Sequence, residues 1–409
     1  MTIQTATALE RARDEAWSTP LGELDVSKAE RNRLSAQIAE AVRGGADSES
    51  VELMELKNAS RVASTGLKAL EEELGAIQAE LDDAMLRIPN PADPDVPVGG
   101  EEANITVRTW GEPLPNGGRK PHWDVAEALG MIDNARGAKV TGSGWPVYIG
   151  AGATLQRALI NWFLDVHSRE HGMTEVWPPV LVNADSARGT GQIPDKEDQM
   201  YVVTRDDLYL IPTAEVPVTN LHRDEILDAE ALPLRYAAYS ASFRREAGAA
   251  GRDTRGILRV HQFDKVEMVS FTRPEDSSDE LEWLTARAET LLQRLGLAYR
   301  VLLMSTREMG FVQAKKFDLE VWAPGVERWL EVSSVSNFRD YQARRMAVRY
   351  RPEAGAKAEL VHTLNGSALA LPRTVAAIIE TYQQDDGSIT IPDVLRPAFG
   401  GRERIGPPA

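Results

Sequence analysis

The hydrophobic residues between positions 48 and 88 recur with the period of a helix. This stretch has no proline, and its apolar side chains follow one another at intervals of three or four: Leu67, Leu70, Leu74, Ile77, Leu81, Met85 and Ile88. Such spacing is typical of the buried stripe of an amphipathic helix. A helix of about forty residues is roughly 60 Å long, so we expect it to pack along a partner.

The predicted partner is the preceding segment, 26–43, whose apolar residues also share one helical stripe. The glycine-rich residues 44–47 predict a turn between the two helices, with Asp47 or Ser48 as the N-cap of the longer one. Residues 1–88 therefore predict an antiparallel helical hairpin.

The first limb of this hairpin is predicted to be short or interrupted. The segment STPLGELD (18–25) contains Pro20 and Gly22. Proline removes a backbone donor and clashes with the preceding helical turn, and glycine loses more conformational entropy than other residues when it enters a helix. The two limbs are therefore expected to be unequal.

A proline-rich segment, RIPNPADPDVPVG (87–99), follows the hairpin. Dense proline ends a helix and favours extended backbone, which predicts a linker at 89–100 before a second domain at 101–409. That domain contains several short β-rich runs: DLYLI (207–211), LRYAAYSASF (234–243), VEMVSF (266–271), FDLEVWA (317–323) and RWLEVSS (328–334). Hairpin-like pairs of runs outnumber strand–helix–strand units, so we predict an α+β fold with a mostly antiparallel sheet flanked by helices.

The composition and the net charge of the chain exclude several classes of protein and several kinds of site. The 409 residues include 46 Lys and Arg against 62 Asp and Glu, a formal net charge of −16, which disfavours a protein that coats DNA. There is no cysteine, so disulfides, thiol nucleophiles and cysteine-ligated metals are excluded. His167 and His171 lack the flanking glutamate of a zinc-protease helix, and no zinc site is predicted. Without a long apolar run or an apolar signal core, we expect a cytoplasmic protein that does not contact membranes.

The connection between two predicted strands at 243–269 is rich in arginine. The consecutive stretches FRREAG, AAGRDTRGILR and VHQFDKVEMV carry Arg244, Arg245, Arg252, Arg255 and Arg259. Guanidinium groups bind phosphate through two parallel hydrogen bonds and keep their charge. The pattern suits a polyphosphate ligand, and a solvated basic hairpin is the alternative.

Three further stretches carry candidate chemistry. In HTLNGSALALPRTVAAIIETYQ (362–383), a proline at the first helical turn places Arg373 at a helix N-terminus, an end that favours anions. EVSSVSN (331–337) brings a carboxylate near hydroxyl groups, which could ligate Mg²⁺. LIPTAE (210–215) predicts a strand that ends in Thr213 and Glu215. Taken singly, these stretches could also be a helix start, a polar strand end and a turn.

Together and in this order, the stretches resemble the bacterial-type seryl-tRNA synthetases, which are class II aminoacyl-tRNA synthetases. MTEVWPPVLVN (173–183) resembles class II motif 1, FRREAGAAGRDTRG through HQFDKVE resembles motif 2, and LNGSALALPRT resembles motif 3. The TAE triplet, EVSSVSNFRDYQARRM (331–346) and the helical arm are particular to the seryl members. The resemblance covers about residues 87–400 and implies a class II catalytic domain at 101–409 with a tRNA-binding arm at 1–88.

The resemblance implies an ATP site in which Arg244, Arg373 and Glu331 are the catalytic residues. Arg244 would bind the α-phosphate and the amino-acid carboxylate, Glu246 would accept from the adenine amino group, and Phe263 would lie against the adenine. Arg373 would lie on the other face or near the γ-phosphate. The full implied ATP-binding set is Arg244, Arg245, Glu246, Val260, Phe263, Glu331, Val332, Ser333, Ser334 and Arg373.

Glu331 and Ser334 would also be the ligands of Mg²⁺, the implied cofactor. In a flat strand, residues three apart point to opposite faces. The implied metal site therefore requires a twist or a bulge between these two positions.

The resemblance also implies a serine pocket, formed by Thr213, Ala214, Glu215, Arg244, Glu267, Asn365 and Ser367. Glu215 and Glu267 would pair with the substrate ammonium and hydrogen-bond its hydroxyl. A site built for a hydroxyl rejects alanine because its own polar groups would be left unpaired. Threonine would have to be excluded by shape.

The resemblance implies that L-serine is activated with ATP and is then transferred to tRNA-Ser. It leaves open whether tRNA-Sec is a second acceptor. Motif 1 implies a homodimer.

The chain departs from the family in its shortened arm and in STREMGF (305–311), where Arg307 and Glu308 replace the usual glycine and aspartate. These departures leave two alternatives open. One is a serine-activating paralogue with another acceptor or a resistance or biosynthetic role, and the other is an inactive regulatory paralogue.

Overall fold

The computed structural model describes residues 3–248 and 255–407, apart from the side chains of residues 3–21 and 82. The chain divides into two compact units, Met1–Pro89 and Asn90–Ala409. No helix in the described part of the chain is both long enough and apolar enough to cross a membrane.

The first unit is a hairpin of two helices, α1 (Ile3–Arg43) and α2 (Val51–Leu86), as predicted. Gly45 in the connection has φ +80°, a conformation that glycine adopts without steric cost. The predicted cap at Asp47 or Ser48 is wrong. Ser50 caps α2 by accepting a hydrogen bond from the Leu53 N–H at 3.4 Å, because the Asp47 carboxylate already accepts from the Glu49 N–H in the preceding turn.

The predicted interruption of the first limb is also wrong. Helix α1 begins at Ile3 and continues through Pro20 and Gly22 without a break. A proline and a glycine inside a helix cost about 3 and about 1 kcal/mol relative to alanine. Packing along α2 outweighs this cost, since Leu24 and Leu34 are buried, and Leu24 lies in the hydrophobic cluster formed with α2.

The stability of the arm should depend on this cluster, in which Leu67 packs with Leu24 and Leu74. We expect Leu67→Ala to destabilise the arm by about 2–4 kcal/mol, because it removes buried methyl groups and leaves a cavity. Hydrogen exchange of the backbone amides of α1 and α2 measures this loss. Val62→Ala, at a position that is 63% exposed, is the control, and equal exchange rates in the two variants would contradict the prediction.

The second unit contains the remaining helices and all the strands of the described chain. Its α-helices are α3 (His122–Ala128), α4 (Asn134–Val140), α5 (Ala151–Asp165), α6 (Ala184–Gly189), α7 (Glu215–Thr219), α8 (Ser277–Arg294), α9 (Tyr341–Met346) and α10 (Leu371–Tyr382). Its strands are β1 (Ile105–Trp110), β2 (Ile132–Asp133), β3 (Val147–Tyr148), β4 (Thr174–Val176), β5 (Leu181–Asn183), β6 (Val202–Val203), β7 (Leu208–Leu210), β8 (Ile226–Asp228), β9 (Leu234–Phe243), β10 (Gln262–Thr272), β11 (Tyr299–Leu303), β12 (Lys315–Ala323), β13 (Arg328–Arg339), β14 (Arg349–Arg351), β15 (Glu359–Leu360), β16 (His362–Ala370), β17 (Ile389–Thr390) and β18 (Arg404–Ile405).

The largest sheet within the described residues has eight strands in the order β1-β11-β12-β13-β16-β10-β9-β4. Neighbouring strands are antiparallel except β4 and β9, which run parallel. Helices α5, α8 and α10 pack against the sheet and bury Phe163, Leu284 and Ile378 in one hydrophobic core. The predicted α+β architecture is confirmed, and the strands that carry the candidate motifs, β13, β16 and β10, are adjacent.

The proline-rich segment predicted as a linker is packed onto the second unit. The Asn90 N–H donates to Phe311 O at 3.0 Å and the Asp93 N–H donates to Ala314 O at 2.8 Å. The Asp93 carboxylate pairs with Arg339 at 2.7 Å, and Val96 is buried. Proline leaves fewer backbone donors to satisfy, and Asn90 and Asp93 satisfy theirs against the second unit.

Candidate active site

One cleft of about 550 Å³ is lined by residues of β10, β13, β16 and the first turn of α10. Strand adjacency explains the convergence, because β13, β16 and β10 carry separate motifs and lie side by side in the sheet. Most of the residues predicted from the sequence line it: Thr213, Glu215, Arg244, Glu246, Val260, Phe263, Glu267, Glu331, Val332, Ser333, Ser334, Asn365, Ser367 and Arg373.

The structure places two predicted site residues outside the cleft lining. Ala214 is fully buried in a separate hydrophobic cluster with Val218 and Val269. The Arg245 guanidinium donates to Asp198 O at 2.9 Å, and its backbone N–H donates to Gln199 O at 2.8 Å. The side chains of successive residues at the end of a strand point in opposite directions. The Arg244 side chain therefore lies in the cleft, and the Arg245 side chain hydrogen-bonds to the neighbouring loop.

At one end of the cleft, carboxylates and amides form a buried pocket. The Asn365 amide donates to Glu215 Oε2 at 2.8 Å and to Glu267 Oε1 at 3.0 Å. The Ser367 hydroxyl lies 3.4 Å from Glu267 Oε2, and Lys265 Nζ pairs with the same oxygen. Two carboxylate side chains are thus held together inside the protein, each with polar partners.

Gln342 completes this pocket, and the sequence analysis missed it. Its Nε2 donates to Glu215 Oε1 at 2.7 Å, and its Oε1 accepts from the Thr363 hydroxyl at 2.7 Å. Gln342 lies on α9, 127 residues from Glu215 in sequence, so no local pattern connects the two. Lys265, by contrast, was detectable, because alternate residues of a strand share a face with Glu267.

The environment of Glu215 changes its protonation. Burial and the neighbouring Glu267 carboxylate raise the pKa of Glu215 to about 7, while Gln342, Lys265 and Lys196 act in the opposite direction. Lys196, another cleft residue that the sequence analysis missed, has its own pKa lowered by burial and by Arg244. A buried carboxylate that titrates near neutrality is typical of a ligand-binding site.

At the other end, arginine side chains and an aromatic ring line the cleft. The Arg244 guanidinium lies 5.0 Å from the centroid of the Phe263 ring, and its Nε donates to Pro212 O at 3.4 Å. The Arg373 Nη1 donates to Glu331 O at 2.9 Å and its Nε donates to Leu258 O at 3.3 Å. Arg373 lies in the first turn of α10, which begins with Leu371-Pro372, as the sequence predicted.

The bulge required between Glu331 and Ser334 is present. In the β12–β13 pairing, Leu319 faces Ser333 and Glu320 faces Glu331, so Val332 is an extra residue in β13. An extra residue returns the next side chains to the same face. The Ser334 hydroxyl consequently donates to Glu331 Oε1 at 2.9 Å.

Two charged residues of β12 flank this pair and were missed by the sequence analysis. Lys316 Nζ lies 2.9 Å from Asp318 Oδ2, and Asp318 pairs across the strands with Ser334. Burial acts to raise the pKa of Glu331, but Lys316, Arg373 and the Ser334 hydrogen bond lower it below the ordinary value. Burial and Glu331 raise the pKa of Asp318. The negative charge therefore resides on Glu331, facing the cleft.

The arginine-rich connection between β9 and β10 is described in part. Arg252 lies outside the described residues. Arg259 pairs with Glu246 at 2.6 Å, and the Arg255 guanidinium lies 5.3 Å from the ring of Trp123. Of these two arginines, Arg259 lines the cleft.

Comparison with known proteins follows the same division of the chain. A family model described as the tRNA synthetase class II core domain (G, H, P, S and T) matches residues 201–382, and one described as the seryl-tRNA synthetase N-terminal domain matches residues 7–92. The chain is 52% identical over 399 residues to the serine–tRNA ligase of Gemmatimonas aurantiaca, covering 97% of this chain and 92% of that relative.

The chain belongs to the seryl-tRNA synthetase family. The seryl-tRNA synthetase of Pyrococcus horikoshii, solved with ATP, has a TM-score of 0.89 and 38% identity, over 99% of this chain and 94% of that one. The cytoplasmic serine–tRNA ligase of Naegleria fowleri, solved with AMP, has a TM-score of 0.83 and 30% identity, over 97% and 92%. Family membership therefore rests on both sequence and fold.

The segment in which this chain departs from the common seryl-tRNA synthetase pattern borders the cleft. Glu308, Met309 and Gly310 are among the lining residues, and the negative charge of Glu308 acts on Lys316. Arg307 is exposed, and its backbone N–H donates to Gly99 O at 3.0 Å. Glu308 thus places an acidic side chain at the cleft.

Two histidines of the described chain lie close to each other. His167 Nδ1 and His171 Nδ1 are 3.0 Å apart, but no group of three or more histidine or carboxylate side chains in the described ranges is placed to hold a metal ion. His261 Nδ1 donates to Arg244 O at 3.0 Å, and its ring stacks on Trp145. These contacts give His261 a role in orienting the backbone of Arg244.

Proposed function

We propose that this chain activates L-serine with ATP to seryl-adenylate and transfers the seryl group to tRNA-Ser. The observation that carries the proposal is the position of Arg244 between the two halves of one cleft, where the charges of Glu267 on one side and of Glu331 and Arg373 on the other act on it. A guanidinium there can hold an amino-acid carboxylate and an α-phosphate at once. Such positioning converts a two-substrate reaction into an oriented one.

Two steps follow from this arrangement. A serine carboxylate oxygen attacks the α-phosphorus of ATP, and a new O–P bond forms as the bond to the bridging oxygen breaks and pyrophosphate leaves. The terminal ribose hydroxyl of the tRNA then attacks the acyl carbon, and AMP leaves as the hydroxyl proton is released. Arg244 would neutralise charge that develops at the α-phosphate, and Arg373 would bind the departing phosphates.

Glu331 and Ser334 fit the implied Mg²⁺. Both offer oxygen atoms, the ligands that this ion prefers, and their 2.9 Å contact places the two oxygens on one side of β13. When bound, the ion would neutralise phosphate charge. Arg373 Nη1 lies 3.5 Å from Glu331 Oε2, so Arg373 would help to orient this carboxylate toward the ion.

Serine selectivity would come from Glu215, Glu267 and Asn365. The two carboxylates can pair with the substrate ammonium, and Asn365 Oδ1 is a buried acceptor that lacks a partner within the described chain. A serine hydroxyl could donate to such an acceptor, and alanine would leave it unpaired. The pocket therefore favours serine over its smaller analogue.

We propose that the arm binds tRNA through a basic subset of its surface. Residues 24–88 carry eight Lys and Arg against thirteen Asp and Glu, a net charge of 8 − 13 = −5, so phosphate contacts would come from one side of the hairpin. The candidates are Lys28, Arg31, Arg33, Lys57 and Arg61. Arg33 is held by Glu30 at 2.6 Å and would have to exchange this partner for phosphate.

We also propose a cytoplasmic C₂ homodimer that pairs through motif 1. This segment contains the sheet-edge strand β4, followed by Trp177, which is 76% exposed, and by the partly exposed Val180 and Leu181. Apolar side chains exposed together at a sheet edge favour burial against a second copy. A symmetric interface would cover the same patch on both subunits.

Attachment of serine to purified tRNA-Ser in the presence of ATP and Mg²⁺ tests the function directly, with serine-dependent exchange of pyrophosphate into ATP as the companion measurement. We expect both. Exchange without attachment would indicate another acceptor, and loss of both would indicate an inactive regulatory relative.

Ser334→Ala tests the metal site. We expect the Mg²⁺ concentration for half-maximal pyrophosphate exchange to rise about three- to tenfold, because the variant removes one oxygen ligand and frees Glu331 Oε1 from its hydrogen bond. The KM for serine should stay within twofold of the unmodified chain. An unchanged Mg²⁺ dependence would show that Ser334 is not a ligand.

A further inference from the structure

A buried histidine–glutamate pair lies beside the ATP half of the cleft but outside its lining. His122, at the start of α3, and Glu380, in the last turns of α10, are both completely buried. His122 Nδ1 lies 2.8 Å from Glu380 Oε1, and the same oxygen accepts from the His122 backbone N–H at 2.9 Å. The other oxygen accepts from the N–H groups of Gly325 and Val326 at 2.8 and 3.1 Å.

These contacts determine which nitrogen of the His122 ring donates and which accepts. Backbone N–H groups donate to both Glu380 oxygens, so each oxygen acts as an acceptor. His122 Nδ1 must then carry a proton, and Nε2 must accept, because the Ile257 N–H points at it from 3.4 Å. His122 therefore presents one donor and one acceptor, and each is used by a different part of the chain.

The acceptor side of His122 reaches the connection between β9 and β10. Ile257 is followed by Leu258, whose carbonyl accepts from Arg373 Nε at 3.3 Å, and by Arg259, which pairs with Glu246. Arg373 and Glu380 lie on the same helix, α10. Residues 257–259 are thus held from both ends of α10, directly by Arg373 and through His122 by Glu380.

Gly256 shows how close this approach is. It has φ +72°, and a Cβ at this position would meet His122 Nε2 at 2.3 Å. A side chain there would both strain the backbone and push the histidine away. The segment can therefore lie against His122 only with glycine at 256.

We propose that His122 and Glu380 form a buried latch that positions residues 256–259, and through them Arg259 and Arg373, for ATP. Both are positioning residues that act on the ATP half of the cleft without touching the substrate. The proposal rests on the proposed function and deepens it, since it concerns recognition of the nucleotide rather than of serine.

Two near-isosteric variants separate the two sides of the latch. His122→Asn keeps a donor in the place of Nδ1 and loses the acceptor for Ile257, whereas His122→Gln can keep an acceptor in the place of Nε2 and loses the donor. We expect His122→Asn to raise the KM for ATP in pyrophosphate exchange about tenfold, with the KM for serine within twofold. His122→Gln should have a KM for ATP closer to that of the unmodified chain. Its unfolding temperature should be lower, because the donor to Glu380 is lost.

ATP binding measured by calorimetry without serine gives a readout that is independent of catalysis. Exchange activity of the unmodified chain tests the proposed function, and its absence would leave the binding comparison intact. Gly256→Ala is a further variant that should weaken ATP binding, because its Cβ would separate residues 256–259 from His122. The latch would be refuted by native ATP affinity in His122→Asn, by equal losses for ATP and serine, or by identical behaviour of the two His122 variants.

Discussion

Arg244→Lys is expected to lower the rate of serine-dependent pyrophosphate exchange by about 10²–10³-fold. The charge is preserved, but lysine cannot present the two parallel donors that hold a carboxylate and a phosphate together. Arg244 directly follows β9, at the junction between the serine pocket and the phosphate half, where its guanidinium lies over Phe263. Its loss should therefore lower kcat as well as raise both KM values.

The control for this variant is Arg223→Lys, at a partly buried arginine outside the cleft that donates to Ser186 Oγ at 3.4 Å. Exchange in this control should remain within twofold of the unmodified chain. Equal unfolding temperatures in the two variants would show that the loss in Arg244→Lys is catalytic. Near-native exchange in Arg244→Lys would mean that the two substrates do not meet at this guanidinium.

Glu215→Gln is expected to raise the KM for serine by about 10²-fold, with the KM for ATP little changed. The substitution keeps the shape of the side chain but removes the buried negative charge proposed to pair with the substrate ammonium. It also places an amide where Glu215 now accepts from both Asn365 and Gln342, so one donor would face another. Glu225→Gln, in an exposed carboxylate paired with His222, is the matched control.

Glu215 is also expected to make the affinity for serine depend on pH. Because burial and Glu267 raise the pKa of Glu215 to about 7, serine affinity should increase as the pH rises through about 7 and the carboxylate ionises. The free folded chain holds this proton at a pH where the unfolded chain has lost it, so its stability should fall as the pH rises from about 4.5 to about 7. In Glu215→Gln, the dependence of the serine KM on pH near 7 should disappear. If it persists, another group titrates.

Local sequence patterns predicted much of the fold, and the family resemblance implied many of the residues that line the cleft. The run 234–243 is strand β9 to the residue, and Pro372 correctly placed Arg373 in the first turn of α10. These features depend on side-chain period and on the stereochemistry of proline, which act over a few residues. The order of the motifs along the chain then predicted which of them would lie in one cleft.

The sequence alone was misleading where local preference competes with packing. Pro20 and Gly22 oppose a helix, yet α1 continues through them because its apolar side chains are buried against α2. The proline-rich segment after Pro89 indicated a linker, but its polar groups bond to the catalytic unit. In both cases the deciding interactions come from residues far away in sequence.

By itself, the sequence determined the fold class, the arm and the chemical type of the site, because amphipathic period and motif residues are properties of short segments. Only the tertiary structure decided which way each side chain points and what surrounds it. The extra residue at Val332 brings Ser334 onto Glu331, and Gln342 reaches Glu215 across 127 positions. Such contacts depend on strand register and on the packing of distant helices, neither of which is encoded in the spacing of any one motif.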